Sequence, residues 1–287
     1  MGVIYGQLNV DERYSKILEP NLFYENVFAP GVTFTDKYEE GPAGGIFVHK
    51  LNTTAVEPGA PGRDFDDEAS ADTLIPIVLN NNYQKSKKIY GVQAEAVDFP
   101  LANEQLSLAT QEVRSGYTQS ANACLVKEGT TSSNTAEIES ATDAIIDERT
   151  ALSAGKGKAN VILCSPDFYG KLLKEAGDKF TPVANDRVSS TGAIGTYLGM
   201  LVIEDNGLAA TNAKYIDSTG STRTVAFSGV EFILYNSEAF SIVTNLEAMR
   251  IVDSENFVGS KAQVEMNTGF KVTNPALVRV RKATGSI

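Results

Sequence analysis

Apolar and polar positions are sorted most sharply between residues 159 and 208. Val161-Ile162-Leu163-Cys164 is an unbroken apolar run, the pattern of a strand buried on both faces. After Ser165-Pro166-Asp167, the residues Phe168, Leu172 and Ala176 recur at helical spacing, and Gly177 follows. Ser165 is placed to cap the helix, Pro166 suits its first position, where a missing N–H costs nothing, and Gly177 is a stop. Tyr197-Leu198-Gly199-Met200-Leu201-Val202-Ile203 is expected to be one further buried strand. The unit carries no reactive chemistry and reads as a packing nucleus.

Elsewhere the periods alternate between helix and strand. Leu106, Thr110, Val113, Tyr117, Ala121 and Cys124 step by three or four, which predicts a long amphipathic helix over residues 99–128, closed by Gly129. Asn134 and Glu137 resemble a capping box that opens a second helix through Ile138, Ala141, Ile145 and Leu152 to Gly155. Short strands are expected at 224–227, 231–235 and 239–243. From Glu247 onward, alternation over 249–252, 263–267 and 277–281 predicts half-buried strands with a charged outer face.

The first 98 residues are organised differently. Residues 1–32 read as an arm: a short helix near 11–18, then an aromatic-rich segment ended by Pro30-Gly31. It has too little surface to fold alone and must dock on its own body or on a neighbour. Strands are expected at 32–35, 45–51 and 73–79, around a polar, breaker-rich tip from Val56 to Asp72. If the legs pair, a ribbon of about 15 residues at ~3.3 Å each reaches roughly 50 Å. Ordering costs about 1.5 kcal/mol per residue and apolar burial returns about 25 cal/mol per Å², so break-even needs on the order of 60 Å² per residue. A two-stranded ribbon in solvent does not reach that. The arm is either flexible alone or ordered against other subunits.

At 287 residues the chain suits one or two domains, and 42% hydrophobic with 21% charged residues is an ordinary globular balance. The net charge of −11 argues against gripping nucleic acid by phosphate neutralisation. Two cysteines, Cys124 and Cys164, offer neither a disulfide framework nor a zinc spacing and are expected as buried small hydrophobes. The first residues lack the cationic and apolar regions of a signal peptide, Gly6 breaks the myristoylation pattern, and no apolar run is long enough to span a membrane.

Candidate chemistry is sparse. His49, the one histidine, falls inside a strand, so histidine-dependent nucleophilic catalysis or a zinc site is not expected. Gly155-Lys156-Gly157-Lys158 resembles a phosphate loop faintly, but it ends a helix and precedes a strand, and Ala159 stands where Ser or Thr is needed. The acidic tip Asp64-Phe65-Asp66-Asp67-Glu68 lacks the alternating ligands of a calcium loop and reads as solvated. Lys85, Lys87 and Lys88 form a tight basic cluster that either meets an acidic tip on a neighbour or is solvated.

The order of these parts, with the runs 161–168 and 197–203 and the C-terminal strands Gly269-Phe270-Lys271-Val272 and Ala276-Leu277-Val278-Arg279-Val280, resembles the major capsid proteins of tailed bacteriophages with the Hong Kong 97 fold. The resemblance spans the whole chain by pattern. It implies an α+β fold with an N-terminal arm (1–32), an extended β-hairpin loop (33–98), a peripheral domain with a long spine helix (99–158 and 247–287) and an axial domain (159–246). It implies a homo-oligomer of pentamers and hexamers, an icosahedral head assembled in the bacterial cytoplasm, and double-stranded DNA enclosed without sequence-specific binding. Portal and scaffolding proteins are implied partners, with decoration proteins a further option. The extended loop, with Asp64, Phe65, Asp66, Asp67, Glu68, Lys85, Lys87 and Lys88 as assembly contacts, would lie across the adjacent subunit. Some members form a Lys–Asn crosslink helped by a Glu. The loop lysines and Asn274 do not align to that triad, so no crosslink is expected. No long N-terminal pre-domain is expected either, so any scaffold would be a separate protein. Bacterial encapsulins, which enclose cargo enzymes with the same fold, are the alternative, although their cargo-binding N-terminal helix differs from this Pro- and aromatic-rich arm. No paired catalytic constellation stands out, so neither enzymatic activity nor a cofactor is expected.

Overall fold

The computed structural model describes residues 23–35, 37, 45–51, 71–92, 100–176, 181–182 and 193–283. Its first half comprises β1 (Gly45–Leu51), β2 (Asp72–Val78), β3 (Asn81–Tyr90), α1 (Leu101–Glu128), β4 (Thr130–Thr131), α2 (Ala141–Ala154), β5 (Val161–Cys164) and α3 (Pro166–Ala176). Then come β6 (Thr181–Pro182), β7 (Ala193–Tyr197), β8 (Met200–Glu204), β9 (Asn212–Ile216), β10 (Thr222–Ala226), β11 (Val230–Tyr235), β12 (Phe240–Asp253), β13 (Gly259–Val272) and β14 (Val278–Lys282).

Two sheets share one helix. A seven-stranded sheet runs β4-β14-β11-β5-β8-β7-β6, and a three-stranded antiparallel sheet runs β12-β13-β3. One face of the larger sheet puts Ile162, Cys164, Val202, Phe232 and Leu234 against Phe168, Leu172, Ile145 and Leu152 of α3 and α2. Its other face puts Leu163, Ile203, Ile233 and Val280 into a second core with α1 and the three-stranded sheet. Of the face expected on α1, Val113, Tyr117, Ala121 and Cys124 are buried. The helix then departs from amphipathicity, because every residue from Ser120 to Val126 is buried. Several of its polar groups are matched: Ser120 Oγ donates to the Lys214 carbonyl (2.7 Å), and Glu128 accepts from the Val272 N–H (3.0 Å) and Lys271 (3.1 Å). The segment from residue 23 docks on this core, with Phe28 packed against Tyr117 and Phe240.

Several local expectations hold. Ser165 accepts from the Phe168 N–H at 3.3 Å, and Phe168 and Leu172 are fully buried; Gly177 lies outside the described residues. Gly129 does end α1, but its φ of −71° is not left-handed. It is needed because a Cβ there would sit 2.6 Å from the Leu125 carbonyl and 2.7 Å from Val278.

Others are corrected. The run 197–203 is not one strand: Leu198 (φ 51°) and Gly199 (φ 77°) form a two-residue turn, and Tyr197 pairs with Met200 across it. Consecutive positive φ values suit the twist of a tight hairpin, and that chemistry outweighs the apolar run. The second helix starts at Ala141, not Asn134. Asn134 closes a local turn onto the Ala136 N–H, while Ser140 caps the helix and Glu175 of α3 accepts from the Ala141 and Thr142 N–H groups. Residues 240–243 and 249–252 belong to one strand, β12, with a bulge at Thr244/Leu246, while Ala239 ends a short 3-10 turn before it. β3 and β9 were not expected as strands. The span 247–287 is divided, since β14 joins the larger sheet beside β11. Nor does the charged face of β14 meet solvent: Arg279 pairs with the buried Glu148 (3.1 Å), and Arg281, 3% exposed, donates to the Ala136 carbonyl.

At the joint between α1 and β8, Asp205 is fully buried. It accepts from Asn122 Nδ2 (2.6 Å) and the Gly207 N–H (2.7 Å). Burial pushes its carboxyl up to about 6 against the pull of those bonds. Asn122 Oδ1 and the Tyr235 hydroxyl are buried without a partner, so a protonated Asp205, or an Asn in its place, has an acceptor in reach once the Asn122 amide turns over.

Two outcomes follow from this packing. Phe232 stacks on Phe168 at 4.6 Å, and Phe232→Ala should lower the unfolding free energy by about 3–5 kcal/mol in denaturant titrations. Because the folded pKa of Asp205 lies above its ordinary value, its contribution is full below that value and is lost as pH rises through about 6. Asp205→Asn should therefore be more stable than wild type by up to ~3 kcal/mol at about pH 7, the gap closing by about pH 4.

Candidate assembly surface

The sequence of β1 and β2 is apolar on both faces, which a free-standing ribbon cannot satisfy. They pair antiparallel from Gly45↔Val78 to Leu51↔Asp72, as the legs of the predicted hairpin. One face carries Ile46, Val48, Ile75 and Ile77. At its root, Ile77 and Leu79 are buried with Val243, and Ile46 and Val48 pack beside them. The other face carries Phe47, His49, Leu51, Leu74 and Pro76, and here Phe47, Leu51 and Leu74 are 63%, 62% and 52% exposed. Burying a side chain of this kind is worth about 1.5–3 kcal/mol, and on this face that gain is unclaimed among the described residues. His49 Nδ1 lies 2.5 Å from Asp72 Oδ2 at the far end, an exposed pair joining the two legs. This exposed face was not singled out from sequence. Its signal was the absence of alternation in Ile46-Phe47-Val48, where a one-sided strand would place a polar residue.

The basic cluster is split by the alternation of β3. Lys85 and Lys87 point toward α1 and share Glu112, at 2.7 and 2.6 Å. Burial raises the Glu112 carboxyl, but hydrogen bonds from both lysines outweigh it and hold the group below its ordinary value. Lys88 faces the other way; it and Lys261 each stand 5.9 Å from the Phe257 ring, which packs on Tyr90 at 4.9 Å. The structure thus brings Lys85 and Lys87 together and separates Lys88 from them. Asp64, Phe65, Asp66, Asp67 and Glu68 lie outside the described residues. Beside Lys85 and Ser86 an open groove of about 620 Å³ crosses the polar face of the three-stranded sheet. There Glu265 accepts from Asn82 (3.0 Å) and Gln84 (2.9 Å), and Arg250 donates to Gln263 (3.0 Å).

The remaining candidates are structural. Gly155 closes α2, and a Cβ on Gly157 would meet Leu152 Cδ2 at 2.6 Å, so these glycines serve packing rather than phosphate. Cys124 and Cys164 are fully exposed to the core and shielded from water, and burial pushes both thiols up, away from the reactive thiolate. Among the described residues no group of three His, Cys, Asp or Glu is placed to hold a metal, and no helix is long and apolar enough to cross a membrane.

No family model matches the chain, and no curated protein matches it. Solved structures do. A chain from Mycobacterium phage Che8 aligns with a TM-score of 0.66 at 18% identity, over 96% of this chain and 98% of that one. The capsid of cyanophage P-SCSP1u aligns at 0.70 with 12% identity, over 96% and 93%. The capsid of Ralstonia phage GP4 aligns at 0.62 with 9% identity, over 100% and 99%. The chain therefore has the α+β, Hong Kong 97-like fold of phage capsid proteins, and the resemblance drawn from its sequence holds at the level of fold.

Proposed function

We propose that this chain is the major capsid protein of a tailed phage, a structural rather than catalytic protein. Pentamers and hexamers of it form the icosahedral head around double-stranded DNA. The observation that carries this reading is the β1–β2 hairpin, whose root is anchored and whose far face leaves Phe47, Leu51 and Leu74 open. A second copy supplies the surface that such a face needs, and the fold is one that other chains use in capsids. Within it, residues 23–35 belong to the N-terminal arm and the start of the extended loop, β1 and β2 are the legs of that loop (33–98), and α1 with β3, β12 and β13 forms the peripheral domain. The seven-stranded sheet with α2 and α3 forms the axial domain. The acidic tip, Asp64 to Glu68, and Lys88 are proposed contacts between subunits, while Lys85 and Lys87 act through Glu112 to hold β3 on the spine helix. Portal, scaffolding and decoration proteins are the proposed partners, the virion is the proposed location, and the host cytoplasm the place of assembly. A net charge of −11 suits a shell that encloses DNA without adhering to it.

Electron microscopy of the expressed protein should show closed shells, and native particles should contain nucleic acid. A co-purified enzyme in its place would make the chain an encapsulin-type compartment, and a stable monomer with turnover would refute both. Phe47→Ser with Leu74→Ser should leave unfolding within about 0.5 kcal/mol of wild type, because both sites are exposed, yet abolish shells. Deleting residues 56–72 should likewise leave a folded protein that assembles poorly; normal shells would show the hairpin to be dispensable.

A further inference from the structure

The hairpin leaves the body at a bend held by backbone and side-chain hydrogen bonds. The Asn80 N–H donates to the Val78 carbonyl at 3.1 Å, a tight three-residue turn between β2 and β3. Two adjacent amide side chains tie this turn to β9–β10. Asn81, 4% exposed, donates from Nδ2 to the Ile216 carbonyl (3.0 Å) and accepts the Ile216 N–H on Oδ1 (2.8 Å), so one side chain takes the place of a strand partner. Asn80 Nδ2 donates to the Asp217 carbonyl at 2.5 Å, and Asn81 Nδ2 also reaches Asn80 Oδ1 at 3.0 Å.

The receiving element is itself stiffened. Asp217 accepts from the Thr219 N–H and hydroxyl, the Ser221 N–H and Arg223 Nε, which closes the β9–β10 turn. The Thr219 hydroxyl and then Arg223 hold its carboxyl well below the usual carboxylate range. β9 is fastened in turn to α1 through Ser120 and the Lys214 carbonyl. On the opposite side of the bend, a Cβ on Gly269 would lie 2.7 Å from the Val78 carbonyl, so β13 gives the bend its seat.

We infer that Asn80 and Asn81 are positioning residues that set the angle at which the β1–β2 hairpin leaves the body, with the β9–β10 hairpin as a brace running back to the spine helix. The biological weight of this angle rests on the reading of the hairpin as an assembly arm; the brace itself can be tested without assembly. Cys124 and Cys164 are fully buried, so spin labels at Leu51→Cys and Thr150→Cys report the distance from hairpin to body in the unassembled protein. The expected result is a single narrow distance peak. Asn80→Ala with Asn81→Ala should abolish it while the body's melting transition stays cooperative, and Gly269→Ala should displace the peak rather than broaden it. Asn82→Ala, whose amide bonds Glu265 away from the bend, should retain it. A narrow peak surviving the double substitution, a broad peak in the unsubstituted background, or equal broadening by Asn82→Ala would each overturn the brace. Should Asn81→Ala fail to fold, Asn80→Ala alone carries the same reading, because its side chain is only half-buried. Failure of the unlabelled protein to form shells would instead sink the assembly reading and leave the distance measurement standing.

Discussion

The architecture depends on burying the C-terminal half of α1 on all sides. A helix in that position must be slim and must find partners for most of its polar groups. Ala121 and Ala123, both fully buried, keep it slim, and Ser120, Asn122 and Glu128 find partners on β9, the β8 end and β13. An unmatched polar group in such a place would cost about 1–3 kcal/mol, so each of these bonds also selects the register in which helix and sheets meet. Because both sheets pack on this one rod, they are tied to each other through it.

The β1–β2 hairpin is the counterpoint. Its root belongs to the same system, through Ile77, Leu79 and Val243, while its far face does not. A two-stranded ribbon is marginal by itself in water, and this one leaves large side chains uncovered. Among the described residues the body covers most of its own apolar surface, and the far face of the hairpin is left open. Under the proposed function, that division of labour between core and arm suits a subunit of a repeating shell.

Charge follows the same division. Lys85, Lys87, Lys271 and Arg279 are each held by a glutamate on a helix, at 2.6 to 3.1 Å. These pairs lock β3, β13 and β14 to α1 and α2. Within them charges largely cancel, so the acidic excess of the whole chain rests on its other groups.

The sequence by itself determined the elements whose signal is local. The strand 161–164, the capped helix after it, the long helix over 99–128 and the hairpin legs were all legible, since period, caps and breakers act over a few residues, and the α+β class followed from the family resemblance. Only the tertiary structure decided the rest, because the deciding partners are far away in the chain. Glu175, distant in sequence, helps set where α2 begins. β3 became a strand because β13 offered it an edge, although its own residues are mostly polar. The division of the basic cluster is not local either, since its pairing with Glu112 depends on which face of β3 meets α1. The open face of the hairpin is signalled only in part: the missing alternation in Ile46-Phe47-Val48 marks two apolar faces, but exposure belongs to the surroundings of a side chain, and the pattern does not state which of the three is left uncovered.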